Sequence, residues 1–105
     1  MLFRSDQKAY ALGVKTRDSY PGDPELAKAL GILAYRRQDY KRSIQLLKES
    51  ARTRQDDASI YYYIGLGHSK LKENAESKAA FQRAMALNLD EKLAADAKRV
   101  MAEMK

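Results

Sequence analysis

PELAKALGILAYRRQDYKRSIQLLKESARTRQDD, residues 24–57, followed by ASIYYYIGLGHSKLKENAESKAAFQRAMALNLDE, residues 58–91, is the stretch that decides the fold. A shift of 34 residues lays Leu26 on Ile60, Leu30 on Ile64, Gly31 on Gly65, Arg36 on Lys70, Ser43 on Ser77, Leu47 on Phe81 and Ser50 on Ala84. The matched positions are mostly apolar or small, and the polar positions between them diverge. A repeat that keeps its packing residues and frees its surface is a stack of similar units, each burying its face on the next.

Periodicity identifies the element inside each unit. Leu26, Ala27, Leu30, Gly31 and Ala34 follow the i, i+3, i+4, i+7, i+8 spacing of one helical face, and Tyr40, Ser43, Ile44, Leu47 and Ala51 do the same. Asp23 before Pro24 reads as an N-cap with proline at the first helical position, where its missing N–H costs nothing. Asp39, Asn74 and Asp90 stand in the same way before later periodic runs. The sequence therefore predicts helices at roughly 4–18, 24–37, 40–54, 58–71, 75–87 and 91–104.

The connections are short, so sequential helices pack antiparallel and the hairpins stack along one axis. Gly31 and Gly65 lie mid-helix, where glycine costs about 1 kcal/mol relative to alanine, so each is expected to admit a bulky group from a neighbour. The expected fold is all-α, an α-solenoid of antiparallel helix hairpins forming one domain over residues 1–105.

Leu30-Gly31, Tyr40, Ile44, Leu47 and Ser50, then Ile64-Gly65, Phe81 and Ala84 one period later, resemble the tetratricopeptide repeat. The resemblance covers two units, 24–57 and 58–91. It implies that 4–22 is the second helix of an incomplete repeat and 91–105 a capping helix. Several positions depart from the family pattern: Ala27 replaces an early aromatic that Tyr61 supplies in the other unit. Ala34 and His68 stand for a later tyrosine, Ser43 and Ser77 for an alanine, and Gln55 and Leu89 for a closing proline.

In that family the first helices of successive repeats line a groove that receives a partner peptide or helix. The resemblance thus implies a protein-binding scaffold whose groove carries Lys28, Ile32, Tyr35, Arg36, Tyr62, Tyr63, Leu66 and Lys70. Tyr61, Tyr62 and Tyr63 are rotated by about 100° from one to the next and cannot share a direction. Tyr61 is expected inward. Tyr62 and Tyr63 either face the groove or complete the core against a neighbouring helix. A subgroup of the family grips C-terminal carboxylates with Lys, Asn and Arg side chains; Lys28 fits that pattern, whereas Ile32, Tyr63, Leu93 and Ala97 do not.

Composition bounds the alternatives. Hydrophobic residues make up 45% and charged residues 32%, with five Gly and two Pro, the profile of a helix-rich chain. The start of the chain lacks the apolar stretch of a signal peptide, and no window approaches the ~20 apolar residues of a membrane helix. The expectation is a soluble chain whose compartment is open, with the cytoplasm favoured. There is no cysteine, which excludes disulfides and thiolate chemistry. The formal net charge is +6, and residues 24–57 carry eight Lys or Arg against five acids. This basic face, spanning 36–54, supports an alternative reading as a surface for nucleic acid or an acidic partner.

Reactive constellations are few. His68 is the only histidine and stands where the family packs an aromatic between helices, which favours a structural role. No HExxH or Cys/His spacing offers metal ligands. Gly65-Leu66-Gly67-His68-Ser69-Lys70 lacks the GxxxxGK[ST] spacing of a phosphate loop and falls inside a helix. Ser5-Asp6-Gln7-Lys8 and Ser69-Lys70-Leu71-Lys72 match Ser-x-x-Lys without its companion elements. The sequence points to no enzyme, no cofactor, no metal and no small-molecule substrate. Leu2, Phe3, Tyr10 and Val14 are expected to leave apolar surface at the N-terminal edge, suited to further repeats or self-association.

Overall fold

The computed structural model describes residues 2–104, with side chains from residue 4 onward. It is all-α, with six helices and no strand among the described residues. They are α1 (Leu2–Arg17), α2 (Pro24–Arg36), α3 (Tyr40–Thr53), α4 (Ala58–Lys70), α5 (Asn74–Ala86) and α6 (Glu91–Ala102). Each helix packs on the next, and α2, α4 and α6 also touch in series. The helices therefore form an inner layer of α2, α4 and α6 and an outer layer of α1, α3 and α5, an all-α helical repeat.

Local chemistry sets the boundaries. The Asp23 carboxylate accepts from the Glu25 and Leu26 amides, and Asp57 accepts from the Ser59 amide, so orphan N–H groups at the starts of α2 and α4 are satisfied. Asp39 and Asp90 cap α3 and α6 in the same way. Asn74 differs from its expected role. It is the first residue of α5, and the N-cap position belongs to Glu73, whose side chain makes no capping bond.

The α2–α3 and α4–α5 turns are copies of each other. In the first, Gln38 N–H bonds Tyr35 O and Asp39 N–H bonds Ala34 O; in the second, Lys72 N–H bonds Ser69 O and Glu73 N–H bonds His68 O. This is the Schellman pattern, and it requires a left-handed residue after the cap. Gln38 and Lys72 occupy it with φ of 67° and 60°.

The core is periodic as well. A Cβ built on Gly31 would stand 2.7 Å from Leu47 Cγ, and one built on Gly65 would stand 2.6 Å from Phe81 Cδ1. Each glycine is where the outer helix of its hairpin seats a large, fully buried apolar side chain. Beside each contact a serine hydroxyl donates to the glycine carbonyl: Ser43 Oγ to Gly31 O and Ser77 Oγ to Gly65 O, both at 2.7 Å. Both serines are fully buried, and the hydroxyl satisfies its own polarity on a carbonyl lone pair that the helix leaves free. Ser50 Oγ donates to Pro24 O at 2.7 Å, closing the other end of the first hairpin.

Candidate partner-binding groove

A groove of about 750 Å³ runs along the inner layer. Tyr35 of α2 and Tyr62, Leu66 and Lys70 of α4 line it, joined by Val100 and Met104 near the C-terminus. Four of the eight residues expected there are thus brought together. Lys28, Ile32, Arg36 and Tyr63 do not line this cavity.

Two of the three basic residues expected in the groove, Lys28 and Arg36, are engaged within the fold. Lys28 Nζ lies 2.8 Å from Asp57 Oδ2, and Arg36 Nε lies 3.0 Å from Asp6 Oδ2. Burial by itself would raise the Asp57 pKa, but hydrogen bonds from Lys28 and Ser59 overcome it and hold the carboxyl below its ordinary value. Lys28 therefore ties α2 to the capped start of α4. Three cations line the groove: Arg99 is paired with Asp96 and Glu103 on the same wall, whereas Lys70 and Lys72 have no acidic partner among the described residues.

Tyr62 belongs to the core as much as to the groove. It is 5% exposed and packs in a cluster with Phe81, Ala84, Leu89 and Ala97. Its hydroxyl donates to Asp96 Oδ2 at 2.6 Å, and Arg99 Nη2 donates to the other carboxylate oxygen at 2.6 Å. Burial and the Asp96 carboxylate push the Tyr62 pKa up, while the two donors hold Asp96 below the usual carboxylate range. Tyr63 is half-buried. Its ring meets Tyr62 edge-on at 5.2 Å and Tyr35 at 6.0 Å, and Tyr35 in turn lies 5.5 Å from Tyr40. The tyrosines form an aromatic chain that fixes the groove wall, leaving Leu66, Val100 and Met104 as its partly exposed apolar floor.

Sequence reasoning gave the second groove wall to a cap and missed its contribution. Asp96 and Val100 stand one period after Tyr62 and Leu66, so a further 34-residue shift places them on the same face. The unlike residue types hid the match.

The basic face of residues 36–54 is divided. Arg36 goes to Asp6, Arg54 to Glu25 and Arg42 to Gln45, while the Arg37 guanidinium lies 4.3 Å over the Tyr10 ring. Lys48 and Arg52 line a second groove of about 590 Å³ on the outer face, floored by Ala51, Ile64 and Ala80. His68 also borders it. The segment Gly65–Lys70 is helical, and a Cβ at Gly67 would stand 2.9 Å from Ile44 Cγ1, so these glycines serve packing.

No family model matches this sequence, and no curated protein matches it.

Proposed function

We propose that this chain is a protein-interaction module of the tetratricopeptide kind, which takes a helix or extended segment of a partner protein in the groove between its inner helices. The observation that carries this reading is the groove itself: an apolar floor of Leu66, Val100 and Met104 beside the free cations Lys70 and Lys72. Apolar anchors supply most of the affinity at such a surface, and charges mainly orient the encounter. A fitting partner segment presents two or three apolar side chains at helical or alternating spacing with acidic residues toward the lysines.

The rival reading, a phosphate-binding basic face, is weakened by the ion pairs that consume Arg36 and Arg54. A nucleic-acid surface needs several free cations tracking one strand, and its affinity falls steeply with salt.

Site-specific photo-crosslinking tests the proposal. A benzophenone side chain at Lys70 should capture a partner protein from the source cell, and one at Arg52 on the outer face should not. Leu66→Ala should then weaken binding of that partner by about 2 kcal/mol and Lys70→Ala by about 1 kcal/mol or less, once circular dichroism shows both variants folded. Capture from Arg52 alone, or of nucleic acid from either position, would reject the inner groove.

A further inference from the structure

His68 is the only histidine, and it is buried at the end of the outer groove, where α4 turns into α5. Its Nδ1 lies 2.9 Å from Glu73 Oε1. Glu73 holds the N-cap position of α5 yet gives its carboxylate to none of the first-turn amides, whereas Asp39, one period earlier, bonds the Arg42 amide. The Glu73 carboxylate faces the imidazole and not the helix start. Glu76 completes a cluster in which one donor atom from each of the three residues lies within 4.8 Å of the others. The matching positions in the preceding unit are Ala34, Asp39 and Arg42, so the cluster belongs to the second unit alone.

We propose that His68, Glu73 and Glu76 form a binding site for a divalent transition-metal ion of the zinc or nickel class, with water completing its coordination. Zinc holds imidazole nitrogen and carboxylate oxygen at about 2.0–2.2 Å, which puts two donors on one ion roughly 3.0–3.5 Å apart. Nδ1 and Oε1 already stand near that separation. Glu76 is exposed and has no ion pair among the described residues, so its flexible side chain closes the third position without moving the backbone. One imidazole with two carboxylates suits borderline ions and disfavours magnesium and calcium, which prefer oxygen alone.

Opposing charge is present but indirect. The α5 N-terminus carries the positive end of a helix dipole, and Lys48, Arg52 and Arg83 border the same groove. None of these cations pairs with Glu73 or Glu76. Two carboxylates in direct contact with the ion outweigh charges acting through screening solvent, because the interaction weakens with both distance and dielectric. The sequence concealed the site because its ligands are spaced i, i+5, i+8 across a Schellman turn, which matches no single-helix or loop motif.

Zinc titration of the chelator-treated chain tests the proposal, because the lone histidine gives ring-proton resonances that report on one place. One equivalent of zinc should shift the His68 ring signals to saturation and raise the melting temperature, since a ligand that binds only the folded state stabilises it. Glu73→Gln and Glu76→Gln should each weaken zinc binding by about tenfold or more. Magnesium at the same concentrations should move neither readout. Glu76 is exposed, so its variant remains folded and keeps the test decisive even where His68→Asn does not fold. Ring signals unmoved by millimolar zinc, or wild-type affinity in either Gln variant, would overturn the site.

Discussion

Tyr62 donates its phenolic hydrogen to Asp96 Oδ2 across 2.6 Å, and the two residues stand one 34-residue period apart. They occupy equivalent positions of successive inner helices, so the bond joins α4 to α6 at the rim of the groove. Tyr62→Phe keeps the ring in the core and removes only this link. The acceptor is charged but partly solvated and still held by Arg99, so the expected loss is about 1–2 kcal/mol in urea unfolding at pH 7. Asp96 titrates below its ordinary value in the folded chain, so the stabilisation is present at neutral pH and above the unfolded carboxyl pKa. It is lost as pH falls through the folded one. The gap between wild type and Tyr62→Phe should therefore shrink on acidification from about pH 5 downward. A gap that is constant or grows in acid would show that the bond to the carboxylate is not its source.

Gly65 offers a test of packing against propensity. Alanine is better than glycine in a helix by about 1 kcal/mol, so an open site would gain from Gly65→Ala. Here the new methyl would meet the Phe81 ring at 2.6–2.7 Å, and Phe81 is fully buried. Overpacking costs about 1–3 kcal/mol and should dominate, giving net destabilisation. Gly22, with nothing within 4 Å of an added Cβ, provides the contrast: Gly22→Ala should be neutral or slightly stabilising. Equal effects at the two positions in thermal melts would contradict this account.

The glycines also show how far the fold was legible. Gly31 and Gly65 repeat in the sequence, and so do the large residues that fill the space above them, Leu47 and Phe81. Packing at a fixed period leaves a pattern that a one-dimensional reading detects. Ser43 and Ser77 were legible as small residues, but their bonds to the glycine carbonyls depend on a hydroxyl rotamer that periodicity does not encode. Gln38 and Lys72 take the left-handed turn positions without the glycine that ordinarily signals them. The groove was legible only in outline. Which cations remain free depends on acids such as Asp57 and Asp6, distant in sequence and outside the repeat pattern.

Lys28 and Asp57 test that distinction. Their pair at 2.8 Å links the first inner helix to the cap of the second, with both side chains mostly shielded from solvent. Removing either should destabilise the chain. The double variant Lys28→Ala with Asp57→Ala should cost less than the two single changes together, by a coupling energy of about 1 kcal/mol. Asp57 alone should cost more than Lys28 alone, because its carboxylate also accepts the Ser59 amide and hydroxyl at the helix start. Additive losses would mean that the pair does not connect the repeats.

The N-terminal helix should be the first part of the array to open. In a linear stack each unit is held only by its neighbours, and α1, at the end of the stack, packs on α2 and reaches α3 through the Arg17–Glu49 pair. Among its described side chains Asp6 is the buried one, Leu12 and Val14 are exposed, and Tyr10 is half-covered by the Arg37 guanidinium. Val14 thus meets the expectation of an uncovered edge, Tyr10 meets it in part, and the side chains of Leu2 and Phe3 lie outside the described residues. Among the described side chains α1 is fastened by the close approach of Gly13 to Leu30, by Tyr10 against the Leu30, Ala34 and Leu46 cluster, and by two ion pairs, Asp6 to Arg36 and Arg17 to Glu49. Such pairs hold less firmly than buried apolar area. Local opening should therefore cost at least about 2–3 kcal/mol less in α1 than global unfolding does, and its amides should exchange with solvent deuterium roughly a hundredfold faster than those of α4. Raising the salt concentration should widen that difference by screening the two ion pairs. Protection in α1 equal to that in α4, or insensitive to salt, would mean that this helix is held by something other than the contacts it makes with α2 and α3.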